Sequence, residues 1–67
     1  MLVVARMWRL SDGTECWIGK TASDWCAFVT RAGVELQSES FSEGRAALIA
    51  ARVWRSQFAR RRRTNAA

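Results

Sequence analysis

An Asp12-Gly13 pair stands between two runs of strand-forming residues, Leu2 to Leu10 and Glu15 to Ile18. Such a pair is a strong hairpin signal, because a two-residue type I′ turn needs positive φ at both central positions. A turn there sets Leu10 opposite Glu15, Arg9 opposite Cys16 and Trp8 opposite Trp17. A second hairpin follows from Asp24 to Ser38, turning at Ala32-Gly33, and the small polar stretch from Gly19 to Ser23 joins the two. In that second hairpin Trp25, Ala27, Val29, Val34 and Leu36 share one face, with Cys26, Phe28, Thr30, Glu35 and Gln37 on the other.

After Phe41 the period changes. Apolar residues recur at steps of three and four through Ala46, Ile49, Ala50, Val53 and Trp54, which predicts a helix from about Glu43 to about Arg60. Arg45, Leu48, Arg52 and Arg55 fall on its opposite side. Ser40 or Ser42 can cap this helix, and Ser40 with Glu43 has capping-box spacing. The small residues Ala46, Ala47, Ala50 and Ala51 allow a close approach to a sheet. The expected fold class is α+β, a small antiparallel sheet of three to four strands in two hairpins, followed by one C-terminal helix packed on one face.

A chain of 67 residues is near the lower size at which one apolar core outweighs chain entropy. Residues 1–59 are expected to form a single compact domain, and 60–67 a basic tail without fixed structure. One helix covers one side of a sheet, yet on this register both faces of the first hairpin are apolar. Val4, Trp8, Leu10 and Trp17 lie on one, and Val3, Ala5, Met7, Cys16 and Ile18 on the other. Either a partner covers the second face or the register is displaced by one residue, which exchanges the faces. The first alternative leads to a homodimer or higher oligomer, with Trp8, Trp17 and Phe28 at the contact.

Charge divides the chain at Gly44. The first 44 residues carry four basic and six acidic side chains, whereas the last 23 carry seven arginines and no acid. A cationic end of this kind attracts polyanions by counterion release. The residues implicated are Arg45, Arg52 and Arg55 on the helix and the run Arg60, Arg61, Arg62 and Arg63. A solvated helix end complementing the macrodipole is the plainer account of the same run. Trp54 and Phe58 beside the arginines would also suit a lipid interface, although the helix must turn its apolar stripe to the sheet.

Catalysis is not expected. The chain has no histidine and no tyrosine, its acids are scattered without paired spacing, and neither cysteine has a base nearby in sequence. Cys16 and Cys26 without histidine complete no zinc site, and the four glycines form no phosphate-cradling motif, so no metal or cofactor is implied. Met1 to Ala5 is a short apolar stretch interrupted at Arg6, unlike a secretory leader, and no run is long enough to cross a bilayer. The expected setting is cytoplasmic, with two free thiols.

The order of short antiparallel strands and one helix is similar to that of DNA-binding domains such as the arm-type domains of tyrosine integrases and plant AP2 domains. The strands here carry only Arg6, Arg9, Lys20 and Arg31, so no residue role is carried over. The leading expectation is a non-enzymatic nucleic-acid-binding protein that contacts phosphates through its basic helix and tail. The alternative is a protein-interaction module or small inhibitor that meets an acidic partner through a tryptophan-rich sheet face. No small-molecule substrate is expected on either reading.

Overall fold

The computed structural model describes the backbone of residues 1–66 and the side chains of residues 1–60. Four strands, β1 (Leu2–Arg9), β2 (Glu15–Lys20), β3 (Trp25–Arg31) and β4 (Val34–Phe41), form one antiparallel sheet in sequential order. The helix α1 (Gly44–Ala66) packs across all four strands, most extensively on β3. The expected α+β architecture of two hairpins and a C-terminal helix is therefore the observed one.

The first turn differs from expectation in a way that reorganises the sheet. Only Gly13 has positive φ, at 89°, while Asp12 stays on the ordinary side. The Gly13 amide donates to the Leu10 carbonyl at 3.1 Å and the Leu10 amide to the Thr14 carbonyl at 2.8 Å. This is a three-residue loop, a type I turn closed by a glycine bulge. Asp12 contributes by its side chain instead, its Oδ1 accepting from the Thr14 amide at 2.9 Å. The longer loop moves the register by one, so Arg9 faces Glu15 and Trp8 faces Cys16 rather than Trp17.

Two irregularities in β1, between Val3 and Ala5 and between Arg6 and Trp8, complete the change. Val4 and Met7 are the unpaired residues. As a result Leu2, Ala5 and Trp8 face Lys20, Ile18 and Cys16, so β1 advances three residues where β2 advances two. Trp8 thereby joins Ala5, Cys16 and Ile18 on one face. In the second hairpin Arg31 faces Val34 and Thr30 faces Glu35 as expected, but a further irregularity then sets Val29 opposite Gln37. Leu36 leaves the predicted core row and is exposed.

The core lies between this face and the helix. Trp8, Cys16, Ile18, Ala27 and Val29 from the sheet meet Ala47, Ala51, Trp54 and Phe58 from α1. Burial of Trp54 agrees with the sequence pattern, but Ile49 and Val53 are about half exposed, at 53% and 50%. The helix is rotated so that Trp54 and Phe58 lie inward, and two buried aromatic side chains remove more apolar surface from water than an isoleucine and a valine. Ala47 and Ala51 form the point of close approach, as their small size anticipates. Burial of Trp54 and Phe58 against the sheet also takes away the aromatic pair on which a lipid-interface reading depended.

The helix start differs as well. Ser40 belongs to β4, opposite Cys26, so the Ser40/Glu43 capping box is not formed. Glu43 occupies the cap position, its carbonyl accepting from the Ala47 amide at 3.4 Å. Gly44 then sits directly on Trp25, where an added Cβ would lie 3.0 Å from the indole ring. At the other end the helix passes the expected limit near Arg60 and continues to Ala66.

Candidate functional site

The sheet leaves one face without a helix, and its centre holds Trp17 directly opposite Phe28, with Arg6 and Ser38 completing the row. Both aromatic residues are half-buried. Arg6 is held to Glu15 at 2.8 Å. The structure thus separates the three residues expected at a contact surface: Trp17 and Phe28 lie on the open face, whereas Trp8 lies under the helix. The premise that a single chain must expose Trp8 or Cys16 and Ile18 is removed, because all three are covered by α1.

The thiols also part company. Cys16 is buried beneath the helix and Cys26 is half-buried on the open face; both are free. Burial pushes the Cys16 thiol up to about 11, opposed by a backbone hydrogen bond involving Trp17. A thiol so protonated is a poor nucleophile and a poor metal ligand. Among the described residues no group of three histidine, cysteine or acidic side chains gathers to hold a metal.

The charges are sorted by pairing. Arg6 pairs with Glu15, Arg31 lies 3.7 Å from Asp12, and the Lys20 Nζ sits 5.2 Å from the centre of the Trp25 ring. Among the described residues Arg9, Arg45, Arg52 and Arg55 have no carboxylate within salt-bridge reach. Arg45, Arg52, Arg55 and Arg60 are all exposed on the helix, as the pattern predicted. The side chains of Arg61, Arg62 and Arg63 lie outside the described residues.

Two of the unpaired arginines, Arg52 and Arg55, border one groove. The groove, of about 740 Å³, opens between β1 and α1, with Met7, Trp8, Leu48 and Ala51 as its apolar lining and Arg52 and Arg55 as its cations, while Arg9 borders it at the end of β1 with its side chain in the Glu15 row of the open face. No acidic residue lines it.

The chain matches no family model, no curated protein and no solved structure.

The helix contribution to this groove was readable from the sequence, since Arg52, Arg55 and Leu48 share one side at helical spacing. Met7 and Arg9 carry no comparable signal. Their entry depends on the displaced register and bulges of β1, for which the residues between Leu2 and Arg9 give no glycine or proline mark.

Proposed function

We propose that this protein binds nucleic acid without enzymatic activity, contacting phosphates through the arginines along α1. The observation that supports this reading best is the set of arginines without carboxylate partners, two of which, Arg52 and Arg55, share one groove. Guanidinium groups satisfied internally would have little to offer a phosphate, whereas unpaired exposed ones release counterions when a polyanion binds. Such contacts position the ligand and carry little sequence selectivity. The terminal arginine run extends the same charge along the chain.

Titration of a labelled duplex at two salt concentrations tests the reading. Binding at low salt should weaken steeply as salt rises, and replacing Arg9, Arg52 and Arg55 together with alanine should reduce the slope by about 2 to 3 units. Replacing Arg60 to Arg63 should remove up to about four more. Binding that ignores salt, or none at low salt, rejects it.

A second reading has its own observation. Trp17 and Phe28 on the uncovered face, with Met1, Leu2, Val3 and Val4 exposed at the start of β1, would suit a protein partner or a second copy of the chain. Recovery of a defined protein after nuclease treatment, or a sedimenting dimer at micromolar concentration, favours it. No helix among the described residues is long and apolar enough to cross a membrane.

A further inference from the structure

The groove has a composition that phosphate contact alone does not require. A duplex backbone needs only exposed cations, and Arg45 satisfies that need outside the groove. Between β1 and α1, however, Arg52 and Arg55 border an apolar recess lined by Met7, Trp8 and Leu48. An occupant with one flat apolar part and anionic groups on either side matches both halves of that lining. A nucleotide within a strand is such an occupant, its base on the apolar wall and its flanking phosphates on the arginines. Paired bases are stacked inside a duplex and cannot enter a recess of this kind, so the strand must be unpaired there.

Resting on the nucleic-acid reading above, we infer that the groove receives one unpaired nucleotide and that the protein therefore prefers single strands to duplex. Charge complementarity favours this occupant over an acidic peptide. Exposed arginines recur outside the groove at Arg45 and Arg60, over about 22 Å of helix, which suits a repeating anion. The open sheet face is the weaker platform for the same strand, because its two arginines, Arg6 and Arg9, share the face with Glu15, which holds Arg6, and with Glu35.

The test compares a labelled 12-residue thymidine strand, an abasic strand of equal length, and a blunt duplex. The thymidine strand should bind at least about fivefold more tightly than the abasic one, which carries the same phosphates without bases. Leu48→Asn, at an exposed position, should lower affinity for thymidine several-fold and for the abasic strand much less, so that the ratio between the two falls toward one. Equal binding of thymidine and abasic strands overturns the inference while preserving phosphate binding. Failure of all three to bind at low salt overturns the nucleic-acid reading itself. Equally tight binding of a glutamate polymer overturns both in favour of an acidic protein partner.

Discussion

The indole Nε1 of Trp8 donates to the main-chain carbonyl oxygen of Ala51 at 2.7 Å, a buried bond between residues 43 positions apart. It ties an edge strand to the middle of the helix, and the Trp8 ring also meets Phe58 at a centroid distance of 6.2 Å. Trp8→Phe keeps most of the ring and removes the donor. It should lower unfolding free energy by about 1 kcal/mol, read as a shift in urea midpoint. Trp8→Ala removes the packing as well and should cost about 3 to 5 kcal/mol.

Gly44 should not accept alanine, although alanine is the better helix former. An added Cβ would lie 3.0 to 3.3 Å from three atoms of the Trp25 indole. Gly44→Ala should therefore destabilise by about 1 kcal/mol, as overpacking does. In a Trp25→Leu background the same change should be neutral or stabilising. Thermal unfolding of the four variants forms the cycle.

The first turn makes a separable prediction. Gly13 has positive φ and open space where a Cβ would stand, with no atom within 4 Å, so Gly13→Ala meets backbone strain and no clash. The cost should be about 1 kcal/mol. Gly13→Asn should recover much of it, because asparagine tolerates the left-handed region. Asp12→Ala removes the bond to the Thr14 amide and should cost about as much.

Stability should fall at high pH through Cys16. Its folded value is raised from 9.0 to about 11, so the folded state holds this proton more tightly than the unfolded chain. The resulting stabilisation is complete below about pH 9 and is lost as pH rises through 11. The loss should be about 2 kcal/mol at pH 11 relative to Cys16→Ala, which lacks this component. Thiol labelling below that range should modify Cys26 before Cys16, since only Cys26 lies on the uncovered face.

Much of this fold was legible because the pattern changes period at one place. Turn residues at Gly13 and Gly33 announced two hairpins, and the recurrence from Ala46 to Trp54 announced the helix. What misled was the assumption that β1 keeps a two-residue step. Leu2, Ala5 and Trp8 share a face at intervals of three, and Val4 and Met7 fall between them without a local sequence mark. Helix phase went astray for a related reason: Ile49 and Val53 fit the periodicity, yet the larger Trp54 and Phe58 decided which side turned inward. The arginine side of the groove was readable because exposure of charge is a strong rule; its β1 side depended on register.

The irregularities have one further consequence. Pairing between β2 and β3 runs through six consecutive partners without interruption, and every irregularity falls where an outer strand joins the sheet. Both rims are thus poor templates for another strand: β1 is broken at two points, and β4 is broken once and carries Glu35, Gln37, Ser38, Glu39 and Ser40. Sheets that end in this manner resist growth by strand addition, the first step toward fibrils. The exposed Met1, Leu2, Val3 and Val4 therefore lie along a rim whose two irregularities disfavour a further ladder.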